Sequence, residues 1–382
     1  MVQYGGIEHY RDREQSFIKH KFLTQYLQVA AFKTLQVVSP VFNFVDAFAG
    51  PWKVSDNADY ADASFSQAIE MLEAVRVVLA RDQSKKIKIR FCLCERDSNS
   101  AARLREYAQR KKQFEIHVFE GPFEENLSAI AEKIPNGFSF TFIDPTGWNI
   151  RSEEVFNFLR ERKMGEFMLN FMSDHINRHA EYSKVVTSFG RFLADPDWEH
   201  EFSLLPADWS NERRVLHLLK KKMKVSKTAT YTPDFEILVP RKDRTKMRLI
   251  LGTHSEKGLE VFRDIQAKVD LEQTEMRRSL QTHGKLQVDM FTAADDAVGL
   301  QFRDGVGGKV SRDSARLQAL QILEGGGSVP FHEIAMSIME EVAIRLTQIK
   351  DLFIEMRKDG QIRFELPPKK KKPQDETLIF KF

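Results

Sequence analysis

The amino-acid sequence predicts an α/β protein built on a doubly wound, mostly parallel sheet, followed by a smaller basic domain. Apolar, strand-like runs alternate with helical segments between residues 42 and 171, and successive strands end in an acidic residue before a turn. A glycine-containing segment at 305–308 then separates a C-terminal region with its own helices and short strands. Strict alternation of strands and helices with short connections is typical of a parallel sheet with helices on both faces.

The first predicted strand is an apolar run that begins at Phe42 and ends at Asp46. The following segment, up to Trp52, contains Gly50 and Pro51, which stop the strand. Ligands bind at the carboxyl edge of such a sheet, and a glycine lets a cofactor approach the main chain closely. The stretch therefore predicts a nucleotide-type cofactor site.

A helix over residues 7–38 precedes this strand, and its polar residues Glu14, Lys19, His20 and Lys21 are interpreted from their spacing as an outer face. The remaining elements of this domain are predicted as strands over 88–95, 115–121, 138–147 and 166–171, a hairpin over 235–240 and 247–252, and helices over 67–79, 101–113, 123–134, 152–162 and 255–282. We predict a domain over 1–300 with a helical insertion at about 174–230.

The C-terminal region, residues 311–382, follows a predicted linker over 301–310. Helices are predicted over 314–323, 331–341 and 345–358, and two short strands over 361–366 and 377–382 flank a proline- and lysine-rich segment. This plan is similar to a winged helix with a basic wing that contacts nucleic acid. A dimerisation or protein-docking module is the alternative.

Several classes of protein do not fit the sequence. No run approaches the length of a membrane span and the first residues do not form a signal peptide, so a cytoplasmic protein is expected. Cys92 and Cys94 alternate along one strand and lack a third thiol, which excludes a cysteine-based zinc or iron–sulfur site. His175 and His179 lie four residues apart without the glutamate of a metalloprotease motif, so no metal is expected.

The turns after the strands carry acids rather than a phosphate-binding sequence. Neither Gly-x4-Gly-Lys-Ser/Thr nor Gly-x-Gly-x-x-Gly occurs. Acids would repel phosphate, but they suit S-adenosylmethionine, which is cationic and has an amino-acid tail and ribose hydroxyls. Asp46 is predicted to lie near the ammonium group, and Glu95 to accept hydrogen bonds from both ribose hydroxyls.

Three motifs are similar to class I methyltransferases: the run from Phe44 to Gly50, Glu95 at the end of the second strand, and Asp144-Pro-Thr-Gly-Trp148. Together with the Lys-His-Lys sequence at 19–21 and the segment 253–258, they resemble the three-Cys-motif partner protein (TcmP) family over residues 14–270. The resemblance implies S-adenosylmethionine as cofactor and a separate radical S-adenosylmethionine protein as partner.

The resemblance also implies roles in the transfer of a methyl group to an amino group. Asp144 and the Pro145 carbonyl would accept hydrogen bonds from the target NH2, and Trp148 would stack on a flipped base; Trp148 is equally well explained as a core residue that caps the sheet. Thr146 replaces the second proline of the related motif, and Gly147 precedes the aromatic residue. His175 would line the substrate side of the pocket.

These arguments predict a methyltransferase that acts on an exocyclic amino group of nucleic acid, with adenine N6 favoured. The alternative is a nucleic-acid-binding partner or scaffold whose methyltransferase-like domain is inactive. The predicted catalytic residues are Asp144, Pro145 and Trp148. The predicted cofactor-binding residues are Asp46, Phe48, Ala49, Gly50, Glu95, Gly121, Pro122 and Phe123, and the predicted substrate-binding residues are Lys21, Thr146, Gly147, His175, Lys350 and Lys358.

Overall fold

A computed structural model describes residues 10, 13–50, 60–81, 86–145, 147–148, 150–173, 183–288, 305–366 and 368–382. The chain divides into two compact units, the first formed by Met1–Thr232, Glu236–Val239 and Arg244–His254, and the second by Pro233–Phe235, Pro240–Asp243 and Ser255–Phe382. From residue 255 onward the chain thus belongs to the second unit. The sequence instead predicted a linker at 301–310, and residues 301–304 of that linker lie outside the described residues. The predicted domains 1–300 and 311–382 stay a prediction.

The first unit is organised around a seven-stranded sheet with strand order β3-β2-β1-β4-β5-β7-β6. The strands β1 to β5 are parallel to one another, and β7 runs antiparallel to β5. The mostly parallel sheet confirms the predicted α/β fold of the first domain, and the winged-helix domain stays a prediction. The strands are β1 (Val41–Asp46), β2 (Lys88–Glu95), β3 (Glu115–Glu120), β4 (Phe138–Ile143), β5 (Gly165–Phe171), β6 (Asp234–Leu238) and β7 (Thr245–Gly252).

Helices connect these strands, as the sequence predicted. They are α1 (Glu14–Lys33), which continues as a π-helical turn (Thr34–Val38), α2 (Ser64–Leu79), α3 (Ser98–Arg110), α4 (Leu127–Lys133), α5 (Ser152–Glu161), and the insertion helices α6 (Ser183–Leu193), α7 (Trp198–Leu204) and α8 (Asn211–Val225). Aromatic side chains fill the centre of the sheet, where Phe44 of β1 packs against Phe91 of β2 and Phe140 of β4.

The polar residues of α1 correct the interpretation of its outer face. Lys19 and His20 are each only 8% exposed, and Glu14 is buried as well. Burial of such groups is tolerated only where they are paired. Lys19 forms an ion pair with Asp144, and Nδ1 of His20 lies 3.0 Å from the hydroxyl of Tyr10. Spacing alone missed the ion pair because Asp144 lies 125 residues from Lys19 in the chain.

The second unit contains the long helix α9 (Glu256–Val288), helices α10 (Lys309–Ile322), α11 (Phe331–Glu341) and α12 (Leu346–Lys358), and strands β8 (Ser328–Pro330), β9 (Ile362–Arg363) and β10 (Leu378–Lys381). The three strands form an antiparallel sheet in the order β8-β10-β9. The sequence did not predict β8, which is short and lies between three glycines and the first turn of α11. No described helix is long and apolar enough to cross a membrane.

A buried arginine explains why α9 belongs to the second unit. Arg263 is 1% exposed, and its guanidinium donates to the carbonyl oxygens of Met339 (2.6 Å) and Glu340 (2.8 Å) at the end of α11. Burial lowers the pKa of Arg263 to about 10. The carbonyls at the last turn of a helix lack intrahelical donors, so the guanidinium satisfies them and ties α9 to α11.

Candidate cofactor and substrate site

Three predicted acids lie at one edge of the sheet. Asp46 ends β1, Glu95 ends β2, and Asp144 directly follows β4. Asp46 is in register with Leu93 of β2 and Phe142 of β4. Because these strands are parallel and adjacent, their carboxyl ends meet at the same edge, which is where α/β proteins bind ligands.

The loop after β1 is held between the two neighbouring strands. The N–H of Ala47 donates to the Phe142 carbonyl of β4 (2.9 Å), and the N–H of Ala49 donates to the Cys94 carbonyl of β2 (2.8 Å). The chain therefore passes through the point where the strand order reverses, which forms a crevice for a cofactor. Gly50 is the last described residue of this loop, and Pro51 and Trp52 lie outside the described residues.

Asp46 holds this loop from inside. It is fully buried, its Oδ1 accepts the Phe48 N–H (3.1 Å), and its Oδ2 accepts the Ser64 hydroxyl (2.9 Å). Burial raises the pKa of Asp46 to about 7; the two hydrogen bonds and the Lys19 ammonium oppose this change, and the Asp144 carboxylate adds to it. The carboxylate of Asp46 therefore fixes the conformation of the loop. Its negative charge depends on pH near neutrality.

Glu95 and the turn after β3 form the next part of the edge. Glu95 is half-buried, and its Oε1 accepts the N–H of Asp97 (2.7 Å). The N–H of Gly121 donates to the Glu95 carbonyl (2.9 Å), and Gly121 has a φ of +108°, which favours glycine. Pro122 is half-buried, whereas Phe123 is buried in the core against Phe158. Glu95 thus fits its predicted place beside a cofactor better than the side chain of Phe123 does.

Asp144 is the centre of a buried polar cluster. Lys19 of α1 forms an ion pair with its Oδ2, and Nδ2 of Asn170 donates to its Oδ1 at 2.6 Å. Asn170 is 3% exposed, and Asp144 is half-buried. Both carboxylate oxygens are therefore engaged by the chain's own groups, although each oxygen keeps a further lone pair. Pro145 is buried, Gly147 is half-buried, and Thr146 lies outside the described residues.

Trp148 belongs to an aromatic cluster. Its ring lies 4.9 Å from the ring of Phe192, 5.1 Å from Phe189 and 5.7 Å from Phe171, and its Nε1 is buried without a hydrogen-bond partner among the described residues. Of the two interpretations of Trp148, the core residue agrees with these contacts. A ring held between three phenylalanines leaves little of its face for a flipped base.

The other predicted substrate residues of the first unit are less informative. Lys21 is half-buried, and its ammonium lies 5.3 Å from the ring centroid of Phe17. His175 lies outside the described residues, as does His179. Among the residues that the structure describes, no group of histidine, cysteine and acidic side chains is arranged to hold a metal ion.

The predicted nucleic-acid residues of the second unit have different environments. The ammonium of Lys350 lies over the Phe331 ring (5.6 Å) and 3.9 Å from Asp375, whereas Lys358 is exposed at the end of α12. Acids at 351 and 355 on α12 and at 359 just after it pair with Lys372, Arg312 and Arg316, respectively. The lysines at 369–371 are exposed. The exposed basic surface of this unit therefore includes the three consecutive lysines at 369–371.

Sequence reasoning did not select Asn170, Lys19 and Ser64 for the site. Asn170 is a polar residue that follows the apolar run 167–169 near the end of β5, and that pattern could have indicated it. Lys19 stands in the polar part of α1, but its burial depends on the distant Asp144. Ser64 begins α2, and its bond to Asp46 closes the loop from the other side.

No protein-family model matches the chain, and no curated protein matches it. Among solved structures, PKMT2 from Rickettsia typhi is 8% identical, with 92% of each chain covered and a TM-score of 0.33. Loganic acid methyltransferase with SAH is 7% identical, covering 73% of this chain and 91% of its own, with a TM-score of 0.29. Cofactor-bound Rv0187 from MTB is 11% identical, covering 61% of this chain and 80% of its own, with a TM-score of 0.31.

These likenesses are too low to carry an argument about chemistry. The fold rests on the sheet itself: strand order β3-β2-β1-β4-β5-β7-β6 with β7 antiparallel to β5. The described first unit therefore has a mostly parallel, seven-stranded α/β sheet of the Rossmann-like type.

Proposed function

We propose that the protein is an S-adenosylmethionine-dependent methyltransferase that acts on an exocyclic amino group of nucleic acid, with adenine N6 favoured. The observation that carries the proposal is the arrangement of Asp46, Glu95 and Asp144 at one edge of the sheet, beside a loop held at the switch point by Ala47 and Ala49. No glycine-rich phosphate loop accompanies these acids. An acidic edge without phosphate-binding elements favours a cationic cofactor.

The residues at this edge fit S-adenosylmethionine. Glu95 uses Oε1 for the N–H of Asp97, and its other oxygen has no partner among the described residues, so the carboxylate is suited to ribose hydroxyls. Gly50 would allow close approach of the cofactor to the main chain. Asp46, which is enclosed by the loop, would act through its charge rather than by direct contact.

When bound, the cofactor supplies a methyl group on sulfur: a nitrogen–carbon bond forms as the carbon–sulfur bond breaks, sulfur keeps the electron pair, and the methylated nitrogen loses a proton to solvent. The protein contributes mainly positioning. Asp144 would accept a hydrogen bond from the target amino group through a remaining lone pair, and the Pro145 carbonyl is the other acceptor that the motif implies. Lys19 would hold the Asp144 carboxylate in place through their ion pair.

The second unit supports nucleic acid as the substrate. Its order of helix, strand, two helices and two strands, from α10 to β10, is similar to a winged helix, and three consecutive exposed lysines lie at 369–371. Exposed lysines bind the phosphate backbone without reading its sequence. We further propose a three-Cys-motif protein of the radical S-adenosylmethionine type as a partner. This proposal rests on the sequence resemblance.

Labelled methyl transfer tests the proposal directly. The protein would be incubated with methyl-labelled S-adenosylmethionine and total DNA, tRNA or rRNA in parallel, and cofactor affinity would be measured by calorimetry. We expect label in one of these fractions, loss of transfer in Asp144→Ala, and retained cofactor binding in that variant. Absence of cofactor binding by the unmodified protein would refute the proposal.

A second candidate function is a nucleic-acid-binding partner or scaffold that does no methyl transfer. The packing of Trp148 among phenylalanines and the occupied oxygens of Asp144 favour it. It predicts salt-sensitive binding of nucleic acid that survives Asp46→Ala. A single turnover with labelled cofactor would rule it out.

A further inference from the structure

The amide group of Asn170 has an unusual environment at the end of β5. Ile143 of β4 and Leu169 of β5 are paired in register. The next residues on each side, Asp144 and Asn170, therefore lie side by side. Asn170 is 3% exposed. The oxygen and the nitrogen of a buried amide normally both form hydrogen bonds. An amide atom without a partner therefore indicates which kind of ligand group the site could bind.

The orientation of this amide is fixed by its neighbours. Its Nδ2 donates to Asp144 Oδ1 at 2.6 Å and to Met172 Sδ at 3.4 Å. The ion pair with Lys19 keeps Asp144 as an acceptor, so the nitrogen end of the amide must face it. Both N–H groups are then used, and Oδ1 is buried without a donor among the described residues.

We infer that Asn170 is a specificity residue of this site, and that its Oδ1, beside the Asp144 carboxylate, receives the second N–H of a target amino group in place of the Pro145 carbonyl that the motif implies. The inference deepens the proposed function and rests on it. An amino group offers two N–H donors, which match two neighbouring acceptors. A carbonyl in the same position would present an oxygen to both acceptors and leave them without donors.

Lys19 is the positioning residue of this arrangement. It does not touch the target, but it holds the carboxylate that in turn orients the Asn170 amide. Because Oδ1 is buried, the target reaches it when the surrounding side chains move aside on binding, as in other sites that close around a substrate. The site thus selects nucleobases that carry an exocyclic amino group over those that carry a carbonyl.

Nucleoside pairs in which this amino group is replaced by a carbonyl, with a proton added to the adjacent ring nitrogen, test the inference. Binding of adenosine against inosine, and of cytidine against uridine, would be measured by ligand-observed NMR at millimolar concentration, with and without S-adenosylhomocysteine. We expect the unmodified protein to prefer the amino member of at least one pair by roughly tenfold to a hundredfold, since an unpaired buried acceptor is costly. Asn170→Leu should reduce that preference by about tenfold.

A matched control separates specificity from folding. Asn43 of β1 is likewise buried, at 1% exposure, and its amide donates to the Asn136 carbonyl at the opposite edge of the sheet. Asn43→Leu should lower the melting temperature without changing the nucleoside preference. Asn170→Ala serves as the second variant where the leucine substitution prevents folding.

Two results would overturn the inference. One is an unmodified protein that does not bind the amino nucleosides better than the carbonyl ones. The other is a preference that Asn170→Leu and Asn170→Ala leave unchanged. Failure of S-adenosylhomocysteine binding would instead refute the proposed function, and the nucleoside comparison without cofactor would still decide the role of Asn170.

Discussion

Replacement of Asp46 by asparagine should make the protein more stable at neutral and alkaline pH. The carboxyl is fully buried, and burial raises its pKa from 3.8 to about 7. An unfolded chain loses this proton near pH 4, whereas the folded chain keeps it until about pH 7. Folding stability from this group is therefore fully present below about pH 4 and is lost as the pH rises to about 7.

The size of the effect follows from the two pKa values. At 1.36 kcal/mol per pH unit, the raised pKa of Asp46 costs folding about 4 kcal/mol at pH 8 and about 2 kcal/mol at pH 5, where the carboxyl is ionised in the unfolded chain but protonated in the folded one. The asparagine of the Asp46→Asn variant would keep both local hydrogen bonds, because its oxygen accepts the Phe48 N–H and the Ser64 hydroxyl rotates to accept from its nitrogen. The free energy of unfolding of Asp46→Asn should therefore exceed that of the unmodified protein by these amounts.

Urea denaturation followed by tryptophan fluorescence measures this difference, because all four tryptophans belong to the first unit. Asp62→Asn is the matched control: Asp62 is also buried, but its carboxylate pairs with Arg13 at 3.0 Å, so its replacement should destabilise the protein. A gain in Asp46→Asn that is equal at pH 5 and pH 8, or no gain at pH 8, would refute the electrostatic reasoning.

Three further predictions concern binding. Glu95→Gln should weaken S-adenosylmethionine binding by roughly tenfold to a hundredfold in calorimetry, whereas Glu120→Gln, which breaks a surface pair with Arg105, should leave it unchanged. Trp148→Leu should lower the melting temperature but keep nucleic-acid affinity, and an affinity loss of about 1–3 kcal/mol would instead support base stacking. Glutamine at 369–371 should reduce the salt dependence of nucleic-acid binding by about 2 to 3 in log–log slope, and Lys372→Gln, which removes a single charge that pairs with Asp351, should reduce it less.

The sheet was predictable from sequence because its strands are apolar runs bounded by turns. The predicted strand over 88–95 and helix over 331–341 coincide with β2 and α11. The short strand β8 was missed because three residues with a proline do not form a recognisable pattern. The division into units was harder, since the buried contacts of Arg263 join elements far apart in the chain.

The site was predictable only in part, for a physical reason. Acids at strand ends are visible in sequence because parallel strands bring their carboxyl ends together. The partners of those acids are not visible, since the Lys19–Asp144 contact joins residues 125 positions apart. The same limit applies to the packing of Trp148, because its partners Phe189 and Phe192 come from the insertion helix α6.

The charges of the site link the ionisation of Asp46 to ligand binding. Among the described residues, the charged groups that act on Asp46 are the Asp144 carboxylate and the Lys19 ammonium, so ionisation of Asp46 leaves this cluster with one excess negative charge. A sulfonium bound there would supply the missing positive charge and lower the pKa of Asp46. Cofactor affinity should therefore rise with pH up to about 7 and then level off. The same linkage means that bound cofactor offsets part of the folding cost of Asp46, so that cofactor should stabilise the unmodified protein more than Asp46→Asn.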